Sequence, residues 1–156
     1  MTDLEKHVNR PGRDKLVKKV RDMGFYVGAN YIFGLPGDDL VSMEKTLNLS
    51  FDLCTSAWNA YAAMALPGSK LYQHAVKNKV PLPKDYEGYS FHSYHTLPLP
   101  TENLSAAEIL KFRDESFIKY HTYKPFRERI KRKFGEVAIN QINEMLKVNL
   151  KRKILN

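Results

Sequence analysis

Two uncharged runs of strand length, "FYVGANYIF" at residues 25–33 and "AWNAYAAMAL" at 57–66, are separated by a stretch of helical periodicity, and each leads into a glycine-proline turn. No other feature constrains the fold as much. Runs rich in β-branched and aromatic residues without charge read as strands covered on both faces of a parallel sheet. Between them, Asp39 is placed as the N-cap of "LVSMEKTLNLSFDLC", in which Leu40, Met43, Leu47 and Phe51 recur at helical spacing. Upstream, "RDKLVKKVRDMG" sets Leu16, Val20 and Met23 at i, i+4 and i+7 with Gly24 as the stop, predicting a helix with one buried stripe. Downstream, Pro67-Gly68-Ser69 leads into a short helix, "KLYQHAVKNK". Alternation at this spacing marks βα units, whose strands run parallel with right-handed crossovers, so the expected class is α/β.

Two parallel strands are fewer than a stable sheet usually contains. Either the remainder supplies unusual edges or the chain is a piece of something larger, and the strand holding Asn30 is then expected to present an open edge that favours dimerisation or aggregation. Residues 81–104 hold five prolines or glycines among several aromatics and read as an irregular connecting segment, with one short strand near Tyr89–Tyr94. From Ser105 the pattern is helical. "SAAE" is a capping box pairing Ser105 with Glu108, and Ile109, Phe112, Phe117 and Tyr120 give that helix an aromatic face. Pro125 fits the first position of the next helix, with Phe126, Ile130 and Phe134 on one side and Gly135 as its stop. A last helix is predicted from Val137, carrying Ile139, Ile142, Leu146, Leu150 and Ile154. The organisation expected is therefore βα units over 1–80, a connector over 81–104 and a helical extension over 105–156.

Several classes are excluded or disfavoured. With 43% hydrophobic residues in 156, the chain can build a core. It has no apolar run long enough to span a membrane, and Met1–Arg10 is polar, unlike a signal peptide, so a cytoplasmic location is the expectation. Cys54 is the only cysteine: it makes neither an internal disulfide nor a thiolate set for zinc or an iron-sulfur cluster, and a buried spacer is the favoured reading. His7, His74, His92, His95 and His121 form no ligand set by spacing, so no metal site is assigned, and they are expected at the surface or hydrogen-bonded. No nucleophile elbow is present, and no catalytic residue is assigned. The net charge of +8 is uneven, with 12 Lys/Arg against 10 Asp/Glu over residues 1–100 and 13 against 7 over 101–156. Such a basic end attracts nucleic acid or an acidic partner, but no aromatic-interleaved RNA motif accompanies it, so a solvated helix face is favoured over nucleic-acid binding.

The turn Gly34-Leu35-Pro36-Gly37 follows a strand and precedes a helix, where main-chain N–H groups can meet a ligand. It lacks the Lys-Ser/Thr of a P-loop and the G-x-G-x-x-G spacing, and Asp38-Asp39 would repel a phosphate. Asp38-Asp39 reads better as helix entry than as a catalytic acid pair. Like Pro67-Gly68-Ser69, it lies at the C-terminal end of a strand, the edge where β/α barrels place their sites.

Together, "GFYVGANYIFGLPGDDLVSMEKTLNLSFDL" and "ALPGSKLYQHAV" resemble the C-terminal half of the radical S-adenosylmethionine (radical SAM) enzymes, over about residues 8–80. In that family a partial β/α barrel has a strand ending in Gly-Leu-Pro-Gly-acid, a helix, a strand, then Pro-Gly-Ser/Thr-x-Leu-Tyr. The tail, with "FRDESFIKYH", "KFGE" and "LKRKIL", is similar to extensions of the group carrying a cobalamin-binding domain. The resemblance implies the C-terminal portion of a partial TIM-like barrel followed by a helical extension. It implies that Asn30 faces the ribose and Ile32 the adenine of S-adenosylmethionine, with Gly34 opening the turn. On the next strand Asn59, Tyr61 and Ala63, or else Ala60 and Ala62, face the same cavity.

The departures matter equally. The Cys-x-x-x-Cys-x-x-Cys loop that holds the four-iron cluster is missing, as are the Gly-Gly-Glu-like segment and the Asp-x-His-x-x-Gly pattern that ligates cobalamin. The expectation is a C-terminal fragment, from a truncated gene, a split subunit or a partial reading frame, inactive alone. Its partner would be the missing N-terminal half or a complementary subunit carrying the cysteines. With that half supplied, hydrogen abstraction or cobalamin-assisted methyl transfer on an unidentified small molecule is expected. The competing reading is a non-catalytic basic helical module that binds nucleic acid or a protein partner.

Overall fold

The computed structural model describes residues 12–155. In chain order it contains α1 (Arg13–Asp22), β1 (Gly28–Phe33), α2 (Leu40–Leu53), β2 (Ala57–Ala62), α3 (Lys70–Lys77), a 3-10 turn at Tyr86–Tyr89, α4 (Ala106–Thr122), α5 (Lys124–Lys147) and a final 3-10 turn at Lys153–Leu155. β1 and β2 pair in parallel, with Asn30 opposite Asn59 and Ile32 opposite Tyr61. The class is α/β, as the alternation predicts.

One face of this small sheet carries the core. Tyr31 and Phe33 from β1 and Trp58, Ala60 and Ala62 from β2 pack against Met43 and Leu47 of α2, and against residues of α4 and α5 that include Ile109, Tyr120 and Phe126. Trp58 stacks on Tyr120 at 5.1 Å, and Phe33 meets Phe112 edge-on at 5.1 Å. Burying side chains of this size contributes about 1.5–3 kcal/mol each. The helical extension is thus the layer that covers the sheet. A smaller cluster of Ala65, Ala75 and Leu99 seats α3 against the connecting segment.

The opposite face is open. Asn30, Ile32 and Asn59 are exposed, so the strands are not covered on both faces as their composition suggests, because all the described core helices lie on one side. Nor does α1 bury its stripe: Leu16 and Met23 are 61% and 64% exposed, with no helix packed over them among the described residues. Both strands are shorter than their apolar runs. Tyr89–Tyr94 forms no strand, since the 3-10 turn and tight bends take its place. Pro125 sits second in α5 rather than first, and α5 is two helical stretches that meet at a kink at Gly135 (φ 76°, ψ −172°), where the sequence places the stop of one helix and the start of the next. Leu150 and Ile154 lie beyond α5, which stops at Lys147. The expectation at His7 lies outside the described residues. Among those residues no helix is long and apolar enough to cross a membrane.

The two sheet edges differ. The bonds Ala57 N–H to Val27 O (3.3 Å) and Ala63 N–H to Phe33 O (2.8 Å) bracket the ladder. The alternation of a parallel pair then turns the main-chain groups of Gly28, Asn30 and Ile32 outward on β1, and those of Trp58, Ala60 and Ala62 outward on β2. On the β2 side, Arg113 Nε donates to Ala60 O (2.8 Å), whereas Ala63, whose N–H faces Phe33, accepts from Leu99 N–H (2.9 Å) just past the end of β2. On the β1 side, no described group outside the ladder bonds to Gly28, Asn30 or Ile32 main chain.

His121, next to last in α4, is buried among Trp58, Phe117, Tyr120 and Phe126, with Nδ1 against Phe117 O at 2.8 Å. Burial holds its pKa below the ordinary value, the Phe117 carbonyl opposes the shift, and the Arg113 guanidinium adds to it. The unfolded chain therefore binds a proton that the folded chain refuses. Stability is expected to fall as pH drops through the unfolded value of about 6.5, and His121→Gln to flatten that slope in urea titrations between neutral and mildly acid pH. An unchanged slope would show that His121 does not couple to folding.

Candidate functional site

The open face brings together four residues that the sequence singles out. Asn30 and Asn59 sit opposite each other, and the Asn59 Nδ2 donates to Asn30 Oδ1 at 3.1 Å. One step along, Ile32 lies opposite Tyr61, whose ring rests on Phe91 at a centroid distance of 4.8 Å. Of the two sets left open by the sequence, Asn59 and Tyr61 share the open face with Asn30 and Ile32 while Ala60 and Ala62 are buried on the other; Ala63, grouped with the first set, lies past the end of β2 and is buried. The result is a wall with polar amides toward one end and a flat apolar pair toward the other.

Both turns at the C-terminal ends of the strands are fixed by their own side chains. Asp38 Oδ2 accepts from Gly34 N–H and Leu35 N–H, both at 3.0 Å, while Oδ1 accepts from Ser42 Oγ at 2.7 Å. Glu102 Oε2 accepts from Gly37 N–H at 3.1 Å, and Thr101 Oγ1 donates to Asp38 O at 2.9 Å. Main-chain donors, first its own N–H and then that of Gly37, hold the Glu102 carboxyl below the usual carboxylate range. The donors that would cradle a phosphate are already engaged by carboxylates. Asp39 forms the capping box with Ser42 that starts α2, a contribution of about 1 kcal/mol. In the second turn Ser69 caps α3 through Tyr72 N–H at 3.1 Å.

Gly34 is buried and opens the turn in a left-handed conformation, φ 78°. A Cβ there would stand 2.6 Å from Ile109 Cγ2, so its lack of a side chain permits the close approach of α4.

Sequence reasoning missed a polar network behind β2. Arg113 links Ala60 O to Asp114, and Arg152, 2% exposed, grips Asp114 with Nε to Oδ2 at 2.8 Å and Nη2 to Oδ1 at 3.0 Å. Arg152 Nη1 donates to Ser93 O and Thr96 Oγ1, each at 3.1 Å. The run "LKRKIL" gives no signal that one of its three cations is buried. Beside this network a cavity of about 310 Å³ is lined by Arg113, Asp114, Phe117, Met145 and Leu150.

Cys54 is buried at the C-cap of α2 in a left-handed conformation, as a spacer. No three His, Cys, Asp or Glu side chains among the described residues come close enough to hold a metal ion. No protein-family model matches the chain, and no curated protein matches it significantly.

Proposed function

We propose that this chain forms the last βα units of a radical SAM partial barrel and holds one wall of its S-adenosylmethionine pocket, the remaining strands and the cluster-binding cysteines lying on residues outside this sequence. The observation that carries this reading is the asymmetry of the sheet. β2 has an outer carbonyl, that of Ala60, taken by Arg113 from the chain's own C-terminal part, as suits a final strand. β1, with its unpaired outer edge, is where an earlier strand adds when crossovers are right-handed. The open face beside that edge is the one that would line the barrel interior.

The residues present fit S-adenosylmethionine. The Asn30 and Asn59 amides supply donors and acceptors suited to ribose hydroxyls, and Ile32 with Tyr61 supplies an apolar surface suited to a purine. They do not fit an iron-sulfur cluster: one buried cysteine cannot provide three thiolates. No residue is assigned to cobalamin. The chemistry of this chain is therefore binding and orientation, with the substrate class undefined.

Anaerobic reconstitution tests the division of labour. With iron and sulfide alone, the chain is expected to show no stoichiometric four-iron absorbance, and the coding sequence immediately upstream of Met1 to specify three clustered cysteines. Stoichiometric cluster on the isolated chain, or an upstream region without such cysteines, would overturn the reading.

A further inference from the structure

At the other end of the strands, a cleft of about 380 Å³ opens where α1 runs into β1 and the α2–β2 connection passes α5. Its walls are Arg21, Asp22, Gly24, Phe25 and Ser56 on one side and Arg129, Arg132 and Lys133, one face of α5, on the other. Four cations against one carboxylate leave an excess of three positive charges. Two of the cations are fixed by main-chain carbonyls: Arg21 Nη1 donates to Leu53 O at 2.7 Å and Lys133 Nζ to Gly24 O at 2.8 Å. The other two are uncommitted. Among the described residues Arg132 has no hydrogen bond or ion pair, and Arg129 Nε is shielded from solvent without an acceptor. A buried guanidinium donor left unpaired is costly, and an anionic oxygen in the cleft would satisfy it.

Aromatic rings border the same cleft. Phe25 is 58% exposed in its lining. Next to it, Tyr26 is held in place between Phe134 at 4.7 Å and the Lys133 ammonium, 4.5 Å from its ring centre. Uncommitted cations with an exposed ring beside them suit a phosphate joined to a flat base, because the charges take the phosphate and the ring takes the base.

We propose that this cleft binds a nucleotide, its phosphate between Arg129 and Arg132 and its base on Phe25, the source being either a free nucleotide or a single-stranded nucleic acid. The site lies before the N-terminal ends of the strands, shares no residue with the Asn30–Asn59 wall and does not depend on the radical SAM reading.

The test is fluorescence anisotropy of a labelled single-stranded ten-nucleotide RNA, with ATP and inorganic phosphate as competitors. Arg132→Gln and Phe25→Ala are each expected to weaken binding about tenfold, since one stacked base or one phosphate contact is worth that much. Both side chains are exposed, so melting curves check that the fold persists. Lys151→Gln, an exposed cation away from the cleft, is expected to leave affinity unchanged. Full displacement by ATP assigns the site to a free nucleotide. RNA binding that ATP does not displace, with a log–log salt slope of about −2 for three phosphates, assigns it to a single strand. Binding of neither ligand, equal competition by inorganic phosphate, or equal losses in the Lys151 variant would overturn the proposal.

Discussion

Gly34→Ala is expected to destabilise the chain by about 2–5 kcal/mol, whereas Gly37→Ala, three residues on in the same turn, costs only about 1–2 kcal/mol. Both glycines have positive φ, 78° and 87°, so both substitutions carry the penalty of a left-handed backbone. The difference is packing. A Cβ on Gly34 would meet Ile109 Cγ2 at 2.6 Å and Cδ1 at 2.8 Å, and Ile109 is fully buried, whereas a Cβ on Gly37 meets nothing within 4 Å. Urea unfolding of the two single variants and of Gly34→Ala with Ile109→Ala checks this. The double variant is expected to lose less than the sum of the singles, because removing the isoleucine relieves the clash while opening a cavity. Equal costs at the two glycines would show that α4 can shift away from the turn.

Arg152→Ala is expected to cost about 1.5–3 kcal/mol, since it removes the buried fork on Asp114 and the donors to Ser93 O and Thr96 Oγ1, leaving Asp114 paired with Arg113 alone. Arg152 ties the tail to α4 through Asp114 and to the connecting segment through Ser93 and Thr96. Arg152→Lys keeps the charge but not the fork, so it is expected to recover less than half of the loss. Its neighbours Lys151 and Lys153 are exposed, and alanine at either is expected to change stability by less than about 0.5 kcal/mol. Denaturant midpoints of the three alanine variants measure this directly, and similar values for all three would mean that the tail is not anchored through Arg152.

The order of elements was legible because local chemistry decides it. Asp39, Ser69 and Ser105 cap the helices that their spacing predicts, and the apolar runs at 25–33 and 57–66 hold the two strands. What the runs could not reveal is which face is covered, since Tyr31 and Ile32 look alike in a hydrophobic stretch but are 8% and 47% exposed. The helix through Leu16 and Met23 misleads for the same reason: periodicity marks an apolar stripe, not the presence of something to bury it. In the candidate wall, period-two alternation placed Asn30 with Ile32, but only the parallel register sets Asn59 against Asn30. The basic cleft escaped notice because its parts are distant in sequence: Phe25 and Arg21 precede the first strand, while Arg129 and Arg132 stand about a hundred residues later. A composition-level test for aromatics among the cations of 101–156 could not find a ring contributed by residue 25.

The wall itself can be probed on the chain as it stands. Titration of the isotopically labelled protein with S-adenosylmethionine, followed by two-dimensional nuclear magnetic resonance, reads each main-chain amide separately. One wall of a pocket binds weakly, with a dissociation constant of about 1 mM. The expected result is a set of saturable shifts centred on Asn30, Ile32, Asn59 and Tyr61 that disappears in an Asn30→Ala, Ile32→Asp variant, whose changed side chains are both exposed. Shifts confined to the cleft at Phe25 and Arg132, or no saturable shift on the open face, would contradict the assignment of that face to the S-adenosylmethionine pocket.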